Sequence, residues 1–320
     1  MPLVLEPSWL GRRVSIRRAL DAASGDPLSA GGARFGDVVG DLVGLDSRTA
    51  VVDTRRGPVE IDLDRIAFAR LVPASTADEL ALDAVAARGL RAAEHHQLGG
   101  WVLRANSGFT HRANSVLPLR SPGLPLDAAL EQAAVWYAAR GLPVQLQVPV
   151  EARRLLDAEL GERGWPAELP TRVYVARLDA LRPAPGSGPS VAVETAPDDA
   201  WLGLYRGGSG ADEAARDLLT RHDTVAFASL RLAGRTVAVG RGAVDNGWLG
   251  VMAVEVDPAY RRQGLAAAVM AALCAWGSTV GAVRSYLQVA VDNAPAVALY
   301  EKLGFWGHHD YHYRTAPAST

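Results

Sequence analysis

Residues 254–266, Val-Glu-Val-Asp-Pro-Ala-Tyr-Arg-Arg-Gln-Gly-Leu-Ala, constrain this chain more than any other stretch. The apolar run at 248–256 reads as a strand, and residues 265–276 combine strong helix formers with an apolar stripe. The chain must therefore pass from strand to helix within a few residues. Arg261, Arg262, Gln263 and Gly264 form that turn, and the helix opens with Leu265 and Ala266. The first N–H groups of a helix have no partner within it, and its dipole is positive at that end, so the turn suits an anion such as phosphate. Gly264 permits close approach or unusual dihedrals, and Ala266 puts little side chain in the way. An ordinary strand-turn-helix accounts for the same residues. Two familiar phosphate loops do not: a Walker loop requires Lys followed by Ser or Thr, and a dinucleotide fingerprint requires three spaced glycines directly after the strand.

Length and charge narrow the classes. With 320 residues the chain has room for two or three domains, each with its own core. Its 33 Lys and Arg against 35 Asp and Glu give a formal charge of −2, so no overall basic field points to a nucleic-acid partner. The single cysteine, Cys274, excludes an intrachain disulfide, and its neighbours Leu273 and Ala275 favour a place in a helix core over a nucleophilic role. Neither a basic leader nor a long apolar span is present, so the expectation is a cytoplasmic protein without membrane contact.

The expected fold class is α/β, with mixed sheets flanked by helices after a small β domain. Residues 1–75 read as that β domain, with strands at 12–18, 37–45, 50–52 and 58–63 and a turn-rich insertion at 21–33. Residues 76–188 alternate helix and strand: helix over 78–97, strands at 101–104 and 112–119, helix over 126–140, strand at 143–148, helix over 151–163 and strand at 172–177. Pro, Gly and Ser make 183–189 a linker. Residues 189–320 repeat the alternation, with helices near 198–205, 212–222, 265–276 and 294–303 among strands at 225–232, 236–243, 248–256, 282–291 and 305–314.

The two α/β segments carry an imperfect repeat: Leu146-Gln147-Val148 matches Leu287-Gln288-Val289, and Gly164-Trp165 matches Gly304-Phe305. The first copy lacks the anion turn. It has Ser-Pro-Gly-Leu-Pro-Leu at 121–126, where prolines remove backbone donors, so it reads as scaffold or as a wall of the site.

The C-terminal segment resembles a GCN5-related N-acetyltransferase. The resemblance rests on Arg261-Arg262-Gln263-Gly264-Leu265-Ala266, which matches that family's Arg/Gln-x-x-Gly-x-Gly/Ala loop, followed in order by Asn293 and Leu299-Tyr300-Glu301-Lys302-Leu303-Gly304-Phe305. It covers about residues 191–314. The whole chain is also similar to actinobacterial members with an SH3-like N-terminal domain, a degenerate acetyltransferase-like middle domain and an active C-terminal one.

The resemblance implies acetyl-CoA as cofactor, with its pyrophosphate on Arg261–Ala266 and its pantetheine amides along the strand edge at Val254 and Val256. It implies direct acyl transfer to an amine, borne by a small molecule or by a protein. Asn293 becomes a polar contact to the cofactor, although a helix cap explains it equally. Tyr300 becomes the acid that protonates the departing sulfur, with packing as its other reading. Glu255 faces opposite Val254 and Val256 and could take the amine's proton, or instead make a salt bridge or face solvent. Trp201, Leu202 and Tyr205 either bound the acceptor opening or fill a helix core. His308 and His312 lie four strand steps apart, roughly ~13 Å, too far to share a metal, so none is expected. The competing function is an acyl-CoA-binding regulatory protein that has lost its acceptor chemistry. The oligomeric state is left open.

Overall fold

The computed structural model describes residues 5–20, 35–181, 190–205, 207 and 213–317. The insertion expected at 21–33 and the linker at 183–189 lie outside the described residues. Residues 1–74 and 75–320 form two compact units.

In the first unit, β1 (Arg13–Ala19), β2 (Phe35–Leu45), β3 (Thr49–Thr54), β4 (Gly57–Asp62) and β5 (Ile66–Leu71) form a five-stranded antiparallel sheet in the order β4-β3-β2-β1-β5. Strict alternation in β1 buries Val14 and Ile16 against Leu42, Val52 and Ile61 and leaves Arg17 outside, paired with Asp37. The strand at 66–71 was not anticipated. It pairs only with β1, and of its six residues only Ala69 is buried, so its apolar pattern is weak.

The second unit begins with α1 (Thr76–Gly89), β6 (Glu94–Leu98), β7 (Trp101–Ala105), β8 (Val116–Pro118), α2 (Leu126–Ala138), β9 (Gln145–Pro149), α3 (Arg154–Glu162) and β10 (Ala167–Arg177). Then follow β11 (Val191–Glu194), α4 (Asp199–Leu204), α5 (Glu213–Thr220), β12 (Val225–Leu232), β13 (Arg235–Asp245), β14 (Trp248–Val256), α6 (Leu265–Thr279), β15 (Arg284–Ala290), α7 (Ala294–Leu303) and β16 (Trp306–Thr315). Two expected elements change. The helix read over 78–97 stops at Gly89, and Glu94–Leu98 is an exposed edge strand, which needs no apolar face and so gave no strand pattern. The strand read over 112–119 shrinks to Val116–Pro118, because His111–Ala113 forms a 3₁₀ turn.

All eleven strands of this unit join one sheet, ordered β11-β12-β13-β14-β15-β10-β16-β9-β8-β7-β6. Residues 76–177 and residues 191–315 each give their last strand to the other. β10 lies between β15 and β16, with Val173 opposite Gln288 on one side and His309 on the other. β16 in turn pairs with β9, with Tyr313 opposite Gln147. Along β10 the faces separate cleanly: Tyr174 and Ala176 join the core under α6 and α7, while Val173 and Val175 pack with Leu82 and Val85 of α1.

Polar contacts fasten the exchange. Asp157 of α3 accepts from Arg314 Nε at 2.7 Å and lies 2.6 Å from His312 Nε2, both on β16. Burial alone would raise the Asp157 pKa, but donation by Arg314 and His312 outweighs it and holds the carboxyl below its ordinary value. Among the described residues, no helix is long and apolar enough to cross a membrane.

A carboxyl with a depressed folded-state pKa stabilises the fold fully above its unfolded value, about 3.9, and loses that contribution as pH falls through the folded value. Asp157→Asn is therefore expected to destabilise the protein at pH 7 by about 1–3 kcal/mol. The gap from wild type should narrow as pH falls below the unfolded value and close once the folded carboxyl is protonated, a trend readable in urea melts across pH.

Candidate functional site

The site forms where two neighbouring strands part. β14 and β15 run parallel and pair from Trp248↔Arg284 to Val251↔Leu287, and there the pairing stops. Beyond it β14 continues on β13 alone, and β15 continues on β10. A bulge on β14 coincides with the parting: Gly240 is skipped between the Val239↔Glu255 and Arg241↔Met252 pairs, and Ala253 takes φ 54°. A positive φ at alanine is uncommon, and bulges of this kind turn an edge away from its neighbour.

The backbone pattern beyond the bulge follows from one bond. Asp257 N–H donates to the Val237 carbonyl at 2.8 Å. In an antiparallel ladder the in-bonding and out-facing residues alternate, so the backbone groups of Val256 and Val254 face away from β13, along the open side. The carbonyl of Val256 accepts there from Arg261 Nε at 3.2 Å. The side chains of Val254 and Val256 pack onto the core under α6. Glu255 stands opposite Val239 on β13, and so on the other face of the sheet, half-buried.

A glycine turn joins β14 to α6. Pro258–Tyr260 makes a 3₁₀ turn capped by Asp257, Arg262 has φ 62°, and Gly264 sits at the N-cap of α6 with φ 78°. No side chain caps α6, and its first internal bond runs from Ala268 N–H to the Gly264 carbonyl. The N–H groups of Leu265, Ala266 and Ala267 are thus without helical partners. Arg261, Arg262, Gln263 and Gly264 are exposed, and a Cβ placed on Gly264 would meet no protein atom within 4 Å. Open space before uncapped donors can accept a phosphate, and the out-facing backbone of β14 can accept an extended amide chain.

Tyr300 lies on α7, half-buried against the core that also takes Val254 and Val256, with its ring 6.1 Å from that of Phe305. Gly304, with φ 102°, ends the helix and lets Phe305 N–H return to the Tyr300 carbonyl at 3.0 Å. Burial raises the phenol's pKa, and the cation at Arg112 pulls it partly back. Asn293 caps α7, its Oδ1 accepting from Ala296 N–H at 3.3 Å.

Other expected residues go elsewhere. Trp201 and Leu202 are fully buried, and the Trp201 indole donates to the Ala228 carbonyl at 3.0 Å, so they belong to the core. Tyr205 alone of that trio reaches a pocket, beside Met252 and Ala253. His308 occupies a bulge on β16, since Val173 and Tyr174 of β10 face His309 and Gly307. The bulge brings His308 against His309, Nδ1 to Nδ1 2.7 Å, where simple alternation would separate them. His309 reaches Asp83 and His312 reaches Asp157.

Sequence reading did not assign three residues that the structure brings to the parting. Phe109 and Arg112 come from the loop after β7, in the first half of the unit, and Arg241 comes from the middle of β13. Arg241 left a legible mark: an arginine inside the apolar run 237–244 at an inward-facing position. Nothing local marks Arg112, whose placement depends on the exchanged strands.

Cys274 stands half-buried on α6, away from the parting, and burial pushes its thiol up to about 12. Iodoacetamide at pH 8 is expected to leave it unmodified in the folded protein and to alkylate it in guanidinium. Rapid native labelling by mass spectrometry would contradict this.

Comparison with known proteins gives consistent results. A family model described as the C-terminal part of probable histone acetyltransferase Rv0428c matches residues 76–314. The chain is 32% identical to the probable histone acetyltransferase Rv0428c of Mycobacterium tuberculosis, over 98% of this chain and 97% of that protein. It is 28% identical to the uncharacterised N-acetyltransferase YobR of Bacillus subtilis, over 68% of this chain and 90% of that one. In fold it is similar to a GCN5-related N-acetyltransferase from Kribbella flavida, at TM-score 0.59 and 20% identity, over 75% of this chain and 96% of that structure.

Proposed function

The chain belongs to the acetyltransferase family described for the C-terminal part of Rv0428c, and on that footing we propose that its acetyl-CoA-dependent transfer to an amine takes place where β14 and β15 part. The parting itself carries the reading, because it offers backbone donors to a ligand between two otherwise paired strands.

Acetyl-CoA supplies an acetyl group activated as a thioester. On this reading Arg261, Arg262 and Gln263, with the backbone N–H groups of Gly264, Leu265 and Ala266, hold the pyrophosphate at the positive end of α6. The out-facing backbone of Val254 and Val256 holds the pantetheine amides, and the N–H of Val256 also faces the place where charge gathers on a carbonyl oxygen. Asn293 already spends its Oδ1 on the α7 cap, which leaves its amide N–H₂ for the cofactor side. Glu255, on the face opposite α6, takes the amine's proton directly or through water. Tyr300 gives its proton to the departing sulfur. Its raised pKa keeps the phenol protonated at neutral pH, as an acid in that role requires.

The same proposal reads residues 1–75 as an SH3-like domain, 76–188 as a degenerate acetyltransferase-like repeat and 189–320 as the catalytic repeat. Both repeats run strand, helix, strand, helix, strand from β8 and from β14, which supports the tandem reading. A cytoplasmic location, with its supply of acetyl-CoA, belongs to the same proposal.

Thiol release from acetyl-CoA, followed across a library of small and peptide amines, tests the reading. Tyr300→Phe is expected to lower kcat by about 10²-fold or more while the acetyl-CoA Kd, by calorimetry, stays within about threefold. Unchanged turnover would remove Tyr300 from its role. Gly264→Val, which puts a side chain into the open space at φ 78°, is expected to weaken acetyl-CoA binding by at least about tenfold.

A further inference from the structure

The parting leaves one acceptor over on β15, and a side chain from the first half of the unit takes it. Val291 N–H donates to the Pro170 carbonyl at 3.0 Å, and the Val283 carbonyl accepts from Leu178 N–H at 3.1 Å, both across to the β10 side. In an antiparallel ladder such residues alternate with out-facing ones, so the carbonyl of Gln288 faces β14 rather than β10. The last pair between β14 and β15 is Val251 with Leu287, and Gln288 lies just beyond it. Arg112 Nη2 donates to that carbonyl at 3.2 Å, while Arg112 Nε donates to the Tyr311 hydroxyl at 3.2 Å.

The loop that delivers Arg112 is fastened from within. Asn114 is 3% exposed, and its Oδ1 accepts from the N–H groups of Asn106 and Gly108 at 2.7 and 3.0 Å. Its Nδ2 donates to the carbonyls of Phe109 and Thr110 at 3.0 and 2.8 Å. The whole capacity of the amide is thus spent on the loop. Gln145 of β9 adds a bond to the Asn114 carbonyl at 2.6 Å and lies 2.8 Å from His111 Nδ1. The place of the guanidinium is therefore set by the fold.

A neutral donor would satisfy the Gln288 carbonyl equally well, so the charge needs a reason of its own. Both hydrogen-bond partners of Arg112 are neutral, and among the described residues no carboxylate pairs with it. Arg112 is half-buried, and a cation drawn out of water beside neutral groups costs free energy. Arg241, the other cation nearby, differs. Its Nε and Nη1 donate to the carbonyls of Leu219 and Gly89, its Nη2 has no partner, and its bonds fasten β13 to α5 and α1 without reaching β15.

The transfer itself generates the opposite charge. As the amine nitrogen bonds to the thioester carbon, the C–S bond breaks and its electron pair stays on sulfur. Sulfur takes the Tyr300 proton, the amine's surplus proton goes to Glu255, and a phenolate remains on Tyr300 until water returns a proton to it. The phenol senses the cation: burial raises its pKa and Arg112 draws it partly down. A charge already fixed in place favours such a developing anion without reorganising.

We infer that Arg112, lent to the parting by the first half of the unit, is a positioning residue of the transfer, whose fixed charge favours the negative charge left on Tyr300 as its proton passes to sulfur. This rests on the proposed placement of the transfer site and on Tyr300 as its acid.

Thiol release by the full-length protein, with the library amine that wild type turns over fastest, tests it. Arg112→Gln keeps a donor for the Gln288 carbonyl but no charge, and is expected to lower kcat by at least about tenfold with acetyl-CoA Kd held within about threefold. Arg112→Lys keeps the charge without the fork and should stay within about threefold of wild type in kcat. In a Tyr300→Phe background, Arg112→Gln should change kcat by about threefold or less, because no phenolate forms there. Arg112→Met serves as the neutral variant if Arg112→Gln does not fold. A lysine variant no better than the neutral one, an undiminished loss in the Tyr300→Phe background, or failure of both neutral variants to fold assigns Arg112 to structure and overturns the inference alone. No thiol release by wild type with any amine, or unchanged turnover in Tyr300→Phe by itself, strikes the underlying reading and this inference with it.

Discussion

The parting of β14 from β15 is the constraint from which the rest of the site follows. A parallel pair that simply continued would satisfy its own backbone groups and leave nothing for a ligand. Here the pairing ends at Val251 and Leu287, and each strand keeps its other neighbour, so the sheet stays intact while one edge of β14 is left open. The positive φ at Ala253 is the local distortion that accompanies this opening. The uncapped start of α6 lies beyond the far end of the same strand, so one short stretch presents both an open strand edge and uncapped helix donors.

Exchange of the last strands joins residues 76–177 and 191–315 in a single unit. β10 holds β15 in place on the side away from the opening, so it is the first half's strand that carries β15 past the parting. The same exchange brings the loop after β7 over the second half's sheet, where Arg112 bonds to the Gln288 carbonyl on β15. The half that lacks an anion turn thereby supplies both a structural strand and a cation at the opening.

The glycines on the central strands show how tightly the layers meet at that place. A Cβ on Gly250 of β14 would fall 2.3 Å from the Tyr286 hydroxyl, and one on Gly89 at the end of α1 would fall 2.4 Å from it. Tyr286 thus fills the space between β14 and α1, next to Arg241. Close packing of this kind leaves little room to redistribute a misplaced charge, which sharpens the contrast with the unpaired Arg241 Nη2.

Much was legible in the sequence because it depends on neighbours along the chain. Strand, turn and helix at 248–279 follow from apolar periodicity, and Gly264 follows from the need for a left-handed residue at the turn. Alternation in β1 likewise gives its buried face directly. Where long-range pairing decides, local pattern fails: Glu94–Leu98 is a strand only because β7 lies beside it, and His308 meets His309 only because β10 forces a bulge. Trp201 and Leu202 show the same limit, since an aromatic helix near a cleft reads alike whether it lines the cleft or fills the core. The sequence by itself determined the glycine turn into α6, the α/β alternation and the Tyr300 helix, all set by contacts within a few residues. Only the tertiary structure decided that the strands part after Val251, that the halves trade strands, and that Arg112 reaches the Gln288 carbonyl, because each requires pairing between segments far apart in the chain.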